Sequence, residues 1–277
     1  MSSDLDVSVI IPFKDKAKMT LEAVTTLLQF GPDVKEILLI SNNSSDEELQ
    51  RVVSGVEHIG HASVLVYNHP FNYQKINNWA VQKAKGRFIL FLNNDTELTK
   101  ESVGLLEAMC EKAAEPKVGM VGCLLLYGDQ RTIQHAGVFL RPGLQGDHMY
   151  VGHKLSTVLR EAKTEKYPYD IRESRPMTAV TGAVQLVEKK KFDAVKGFDE
   201  RFIICGGDVD LCIRLNKAGY QTWYIGTSKY IVHKESQSRS QKPVPYVDFY
   251  YSYQSYITAY DLKVGDPFLP KITQRMV

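Results

Sequence analysis

The chain has 277 residues, 44% of them apolar and 24% charged, and its 34 basic residues nearly balance 32 acidic ones to give a net charge of +2. This composition is typical of a folded protein and excludes a disordered chain, a collagen-like repeat and a bundle of membrane helices. The small net charge also argues against a nucleic acid partner. A chain of this length can bury a large core, and we predict one α/β domain.

The N-terminus and the cysteines predict a cytoplasmic protein. The chain begins with MSSDLDVSVIIPF, in which acidic residues precede a short apolar run, whereas a secretory signal begins with basic residues. No window approaches the roughly 20 apolar residues that span a bilayer. The four cysteines have neither the spacing of a zinc site nor that of a disulfide framework, so we interpret them as reduced thiols.

The first half of the chain alternates strands with helices. Five apolar runs of strand length are, in chain order, VSVIIPF, EILLIS, SVLVY, RFILFLN and VGMVGCLLLY. Before the fourth run, the segment YQKINNWAVQKAK places Ile76, Trp79, Ala80 and Ala84 on one face of a helix. Continuously apolar strands that alternate with amphipathic helices predict a largely parallel sheet covered on both sides.

After about residue 127 this alternation lapses. Gly, Pro, His and charged residues through residues 127–154 predict long loops with short strands. Regularity returns with a strand at AVTGAVQLV, a helix at KKKFDAV and a helix that begins near Asp208 and ends at Gly219. Short strands follow in TWYIGTSKYIVHKES. We interpret the three lysines of KKKFDAV as a solvated helix start.

Aromatic residues recur at helical spacing near the C-terminus, at positions 246, 249, 250, 253, 256 and 260. This spacing predicts a helix whose aromatic face packs in the core. Contact of that face with another chain or with a lipid surface stays open as an alternative.

Three polar stretches follow the first, second and fourth predicted strands: PFKDK, SNNSSDE and NNDTE. Ligands of an open α/β sheet bind at the carboxyl ends of its strands, so a nucleotide fits this edge. The chain has neither G-x-G-x-x-G after the first strand nor a P-loop, so its phosphates must be held differently. Asp95 can bind a divalent cation that bridges a diphosphate. Alternatively, Asp95 caps a following helix or forms a turn with Asn94.

Asp208 and Asp210 open the helix GGDVDLCIRL. Position 208 suits an N-cap, but a carboxylate on a Gly-Gly turn can also face a cleft and take a proton from an incoming hydroxyl. His135 in IQHAG and His233 in YIVHKES are each either structural or a ligand.

Seven segments in matching order, from about Val7 to Arg239, strongly resemble family 2 glycosyltransferases of GT-A fold, most of all the rhamnosyltransferase-like bacterial branch that builds O-antigen and capsule. They are VSVIIPFKDK, LLISNNSSDEE, PFNYQKINNWAVQKAKGRFILFLNNDTEL, TIQHAGV, AVTGAVQLVEKKKFDAVKGFDERF, GGDVDLCIRLNKAGY and HKESQSRS. The resemblance implies an α/β fold with a Rossmann-like, mostly parallel central sheet flanked by helices and a mixed acceptor-binding half.

The same resemblance implies one domain over residues 1–277. Its nucleotide-sugar-binding half covers about residues 1–127, its acceptor and catalytic half about residues 128–240, and its C-terminal aromatic helix about residues 241–277. It also implies that Asp95 and His233 bind the metal and that Asp208 is the general base. The residues implied in donor binding are Pro12, Phe13, Ser41, Asn42, Asn43, Asn77, Asn93, Asn94, Thr181, Gly182, Ala183 and Arg239.

The implied reaction is inverting transfer of a sugar from a UDP, dTDP or GDP sugar, with Mn²⁺ or Mg²⁺. The implied acceptor is a glycan or a polyprenyl-diphosphate-linked oligosaccharide, which places the enzyme at the cytoplasmic face of the membrane. Peripheral membrane association, further catalytic modules and a homo-oligomer stay open.

Two other functions are weighed against this one. A catalytically inactive module that binds sugar nucleotides or glycans would have lost acidic groups at positions 41, 93 and 207, but the chain retains Asp95, Asp208 and His233. A sugar nucleotidyltransferase would usually carry a Gly-rich loop after the first strand, and IIPFKDKAK lacks the glycines.

Overall fold

The computed structural model of the protein describes residues 5–141, 145–234, 244–259 and 265–268. The strands are β1 (Leu5–Phe13), β2 (Val34–Ser41), β3 (Ala62–Val66), β4 (Phe88–Leu92), β5 (Thr96–Glu97), β6 (Val118–Cys123), β7 (Leu125–Leu126), β8 (Ile133–His135), β9 (Val138–Arg141), β10 (Gln145–His148), β11 (Arg175–Met177), β12 (Val184–Glu188), β13 (Gln221–Ile225) and β14 (Ile231–His233). The α-helices are α1 (Ala17–Phe30), α2 (Asp46–Val56), α3 (Tyr73–Val81), α4 (Leu105–Ala113), α5 (Leu155–Arg160), α6 (Lys189–Ala194), α7 (Gly207–Lys217) and α8 (Tyr246–Ile257).

Eight strands form one mixed sheet in the order β11-β13-β6-β12-β4-β1-β2-β3. The strands from β1 to β4 pair in parallel, as predicted from their apolar runs. β12 lies antiparallel between β4 and β6, and β13 pairs in parallel with β6. Strands from the second half of the chain therefore complete the sheet that the first half begins.

Helices cover both faces of this sheet. Along β1, Val9 and Ile11 pack in a cluster with residues of α1, α2 and α4, whereas Ile10 packs in a cluster with residues of α3 and α7. All three side chains are fully buried. Because successive side chains of a strand point to opposite faces, a continuous apolar run is required wherever both faces are covered.

The C-terminal helix forms, but its aromatic face does not pack in the core as predicted. Tyr246 is 83% exposed, and Phe249, Tyr250 and Tyr253 are also exposed, whereas Asp248 is buried. Tyr256 is buried and Tyr260 lies outside the described residues. The aromatic spacing identified residues on one side of the helix, but the side that carries the buried Asp248 faces the domain.

The lysines at the start of α6 also differ from the prediction of a solvated helix start. Lys190 is exposed, but Lys191 is buried and donates to the carbonyl oxygens of Ala113, Glu115 and Val118 at 2.7–2.9 Å. Its ammonium group satisfies acceptors at the end of α4, so this side chain connects two parts of the core.

None of the described helices is long and apolar enough to cross a membrane. The four cysteines lie within the described residues and form no disulfide there. Burial raises the pKa of the Cys110, Cys123 and Cys212 thiols to about 12. These three thiols are protonated at neutral pH and are poor nucleophiles.

Candidate active site

A cleft of about 450 Å³ lies at the carboxyl ends of β1, β2 and β4. It is lined by most of the residues for which the sequence predicted a role: Pro12, Phe13, Asn42, Asn93, Asn94, Asp95, Thr181, Gly182, Ala183, Asp208 and His233. The fold therefore gathers these residues, which are widely separated in the sequence, around one cavity.

Of the predicted residues that the structure describes, three do not line this cleft. Ser41 is buried at the end of β2. Asn43 has a φ of 55° and donates its amide to the carbonyl oxygen of His69 at 2.7 Å, at the surface. Asn77 is fully buried in α3. Arg239 lies outside the described residues.

Asp95 and His233 form a buried pair in the cleft. The backbone turns after β4, where the Thr96 N–H donates to the carbonyl oxygen of Asn93, and β5 then pairs with β14 so that Thr96 lies opposite His233. This pairing brings His233 Nε2 to 3.0 Å from Asp95 Oδ1. The turn agrees with one alternative reading of NNDTE, but the helical turn that follows begins only at Lys100, so Asp95 is not its cap.

Gln134 determines which nitrogen of His233 carries a proton. The Gln134 Oε1 atom lies 2.6 Å from His233 Nδ1. Because an amide oxygen only accepts hydrogen bonds, Nδ1 is protonated, and the lone pair of Nε2 faces Asp95 when the imidazole is neutral. Two acceptor atoms 3.0 Å apart repel each other unless a proton or a cation lies between them.

A divalent cation fits this pair, since carboxylate oxygen and imidazole nitrogen are both suitable ligands. No group of three or more His, Cys, Asp or Glu side chains within the described ranges has the geometry of a metal site. A cation held by Asp95 and His233 would therefore complete its coordination with ligand atoms that the described side chains do not supply.

Asp208 faces the cleft from the first turn of α7. The N-cap of this helix is Gly206, whose φ is 84°, so the N-cap alternative for Asp208 is wrong. Its Oδ2 atom accepts a hydrogen bond from the Gly182 N–H at 2.8 Å. Asp208 is partly exposed, whereas Asp210 is buried and paired with Arg214 at 2.7 Å. Asp208 is the carboxylate of this helix that can meet a substrate.

His135 supports the turn at residues 181–183, whose Gly182 N–H binds the Asp208 carboxylate. The Nε2 atom of His135 accepts long hydrogen bonds from the backbone N–H groups of Gly137 and Thr181 at 3.3 and 3.5 Å. Burial lowers the pKa of His135 well below its usual value, so the imidazole is neutral and can accept. Tyr73 supports the same turn by donating its hydroxyl to the Gly182 carbonyl oxygen at 2.8 Å.

Sequence reasoning missed other residues of the cleft. Lys14 and Lys16 are exposed and line it, as do Phe71, Tyr73, Gln74, Ile204 and Val244. The loop with both lysines is tied to the loop after β2, since Asp15 accepts from the Ser45 N–H at 2.8 Å. Both lysines belong to the polar stretch PFKDK, and two cations at a strand end next to a candidate anion site are the sequence signal for them.

The fold and this cleft define a class of proteins. The chain superposes on the crystal structure of GalNAc-T7 with UDP, GalNAc and Mn²⁺ with a TM-score of 0.64 and 16% identity, over 84% of this chain and 44% of that one. The likeness shows the fold, which is that of GT-A glycosyltransferases and confirms the predicted fold class. Residues 8–157 match the model of glycosyl transferase family 2. The match covers more than half of the chain, which therefore belongs to this family and is a glycosyltransferase.

Two relatives agree with this assignment. The O-antigen biosynthesis protein RfbC of Myxococcus xanthus is 37% identical over 265 residues, which are 95% of this chain and 20% of the relative. The N-acetylglucosaminyl-diphospho-decaprenol L-rhamnosyltransferase of Mycobacterium tuberculosis (strain CDC 1551 / Oshkosh) is 27% identical over 150 residues, which are 52% of this chain and 47% of the relative. The chain thus spans a fifth of the first relative and about half of the second.

Proposed function

We propose that the chain transfers a sugar from a nucleoside diphosphate sugar to a hydroxyl group of a bacterial surface glycan, with inversion at the anomeric carbon. One observation carries the proposal: the Asp95–His233 pair and the partly exposed carboxylate of Asp208 line the same cleft. The transfer needs a site for the departing diphosphate and a base for the acceptor, and these two features suit those tasks.

The Asp95 and His233 side chains would hold Mn²⁺ or Mg²⁺. The cation, when bound, neutralises negative charge on the diphosphate. Lys14 and Lys16, which line the same cleft, add positive charge on the side of the first strand and favour an anionic leaving group there. The proposed nucleotide of the donor is UDP, dTDP or GDP.

Asp208 would act as the general base. The oxygen of the acceptor hydroxyl attacks the anomeric carbon, the hydroxyl proton moves to the Asp208 carboxylate, and the bond from that carbon to the diphosphate oxygen breaks with its electron pair on the diphosphate. Attack opposite the leaving group inverts the configuration. The Gly182 N–H, bound to Oδ2, fixes the orientation of the carboxylate.

The relatives support the class of acceptor. One is named for O-antigen biosynthesis and the other for rhamnosyl transfer to a decaprenyl diphosphate carrying N-acetylglucosamine. We therefore propose a glycan, free or linked to a polyprenyl diphosphate, as the acceptor. A bound lipid-linked acceptor would bring the enzyme to a membrane surface.

Thermal unfolding with UDP, dTDP, GDP and CMP, each with and without Mn²⁺ or Mg²⁺, tests the donor site. We expect one nucleoside diphosphate to raise the midpoint only when metal is present. At a ligand concentration 100 times Kd the stabilisation is about 2.7 kcal/mol, or several degrees for a domain of this size. Asp95→Asn should abolish the metal-dependent part of the shift, and Asp193→Asn, an exposed carboxylate of α6, should leave it unchanged.

Two outcomes would count against the proposal. A chain that responds to no nucleotide would point to an inactive module of the same fold. A shift that persists in Asp95→Asn would remove Asp95 from the donor site.

Gln134 offers a second test of the metal site, because it holds the protonated Nδ1 of His233. Loss of such a partner behind a ligating histidine typically weakens metal binding about 10–100-fold. We therefore expect Gln134→Leu to raise the Mn²⁺ dissociation constant in the presence of the nucleotide by about this factor, while Gln134→Glu, which keeps an acceptor, preserves the affinity. Calorimetric titration of Mn²⁺ measures both, and equal affinities for the two variants would contradict the assignment.

A further inference from the structure

The polar side of α8 faces the segment that precedes Asp208. Asp248, Ser252 and Ser255 follow the spacing i, i+4, i+7, which places them on one side of the helix. We call residues 203–208 the base segment. The two carboxylate oxygens of Asp248, which is buried, accept hydrogen bonds from three successive backbone N–H groups of the base segment at 2.7–2.9 Å: those of Ile203, Ile204 and Cys205.

The two serines of α8 strengthen the contact. Ser255 donates to Asp210 Oδ1 at 2.7 Å, in the first turn of α7. Ser252 lies so close to Gly206 that a Cβ atom at position 206 would collide with its hydroxyl oxygen. Tyr256 is buried beside them, and its pKa is raised by burial first and by the negative charge of Asp208 second. The helix therefore packs directly against the turn that carries Asp208.

The start of α3 holds the same part of the chain from its carbonyl side. The amide of Asn72 donates to the carbonyl oxygens of Glu200 and Phe202 at 3.0 and 2.9 Å. The backbone N–H of Tyr73 donates to the carbonyl oxygen of Ile203 at 2.9 Å. The carbonyl groups of residues 200–203 thus accept hydrogen bonds from the start of α3, while the N–H groups of residues 203–205 donate to Asp248. The backbone that leads to Asp208 is therefore fixed from two directions.

From this geometry we infer that Asp248 is a positioning residue for the base. Its carboxylate fixes the three N–H groups that lead into the Gly206–Gly207 turn, and that turn sets where the Asp208 carboxylate points into the cleft. Charge-assisted hydrogen bonds from successive N–H groups form a strong anion site, which an amide cannot replace. The inference rests on the proposed role of Asp208 as general base, and it assigns α8 to the catalytic centre.

The test compares Asp248→Asn and Ser255→Ala with Gln254→Ala, an exposed residue of the same helix. The assay is release of the nucleoside diphosphate from a donor sugar selected by the thermal panel, with water as the acceptor. A displacement of about 1 Å at a reacting group can cost about 100-fold in rate, so we expect Asp248→Asn to lower kcat by about 10–100-fold. The donor KM and the metal-dependent thermal shift should stay within twofold.

Ser255→Ala should lower kcat less than Asp248→Asn does, and Gln254→Ala should leave it unchanged. Hydrogen exchange measured by mass spectrometry adds a readout that does not need activity: amides of the base segment should exchange faster in Asp248→Asn, whereas those of β1 should not. Ser255→Ala provides the same comparison if Asp248→Asn fails to fold.

Faster exchange in the base segment with an unchanged kcat would overturn the inference, and so would a loss of kcat that only follows the folded fraction. A wild-type chain that releases no nucleoside diphosphate would instead overturn the proposed function, and with it the catalytic part of the inference. The exchange result would still show whether α8 holds the segment.

Discussion

Asp208→Asn is expected to lower the transfer rate by about 10²–10⁴-fold, because it removes a general base while keeping the shape of the side chain. The amide oxygen of Asn can still accept the Gly182 N–H, so the turn should be preserved. We expect the variant to fold and to keep the metal-dependent thermal shift with its nucleotide. Release of the nucleoside diphosphate under saturating donor measures the rate.

The result separates catalysis from a structural role. If Asp208 served only as the acceptor of the Gly182 N–H, Asp208→Asn would cost at most about 1 kcal/mol of stability and would not slow the folded protein. Near-normal turnover by Asp208→Asn would therefore refute the base assignment. Asp199→Asn is the control, since Asp199 pairs with Arg201 at the surface and its loss should not change the rate.

The layering of the fold and the position of the site follow from the sequence because both depend on simple patterns. A strand covered on both faces must be apolar at every position, which makes runs such as FILFL visible. A polar residue directly after such a run must then lie at the sheet edge, as Asn93, Asn94 and Asp95 do. The family resemblance added individual roles, and its fold and family are confirmed by the comparisons.

Side-chain directions beyond the strand ends could not be predicted in this way. Ser41, Asn42 and Asn43 are consecutive, yet among them only Asn42 lines the cleft. Ser41 is the last residue of β2 and is buried like residues 36–40 before it, whereas Asn43 has a left-handed backbone and is exposed. Asn42 and Asn43 both donate their side-chain amides to the carbonyl oxygen of His69, a partner in another loop that no local pattern of the sequence specifies.

The aromatic spacing of α8 shows a related limit. Periodicity shows which residues share a side of a helix, but tertiary partners decide which side is buried. Here three successive N–H groups of the base segment need an acceptor, and Asp248 supplies it. The partner lies more than 40 residues away in the sequence, so no local reading could have identified it.

The lysines of α6 lead to the second large effect. We expect Lys191→Met to lower the free energy of unfolding by about 3–5 kcal/mol, because it leaves three buried backbone carbonyls without their donor and removes the buried cation beside Oε2 of Glu188. The Lys191 ammonium lies 3.1 Å from Glu188 Oε2, and both side chains are almost fully buried. Urea unfolding measures the change as a lower midpoint at an unchanged slope.

Lys190→Met is the matched control, since its side chain is 72% exposed and lies 3.0 Å from the same carboxylate. An exposed ion pair contributes about 0–1 kcal/mol, so adjacent lysines should differ several-fold in effect. Glu188 pairs with Phe88, whereas Val184 pairs with Leu92, next to the cleft. Lys191 therefore lies at the end of the sheet away from the site, and the folded fraction of Lys191→Met should keep a normal donor KM. A changed KM would contradict the position of Lys191 away from the site. Equal stability losses for the two variants would show that burial is not what distinguishes them.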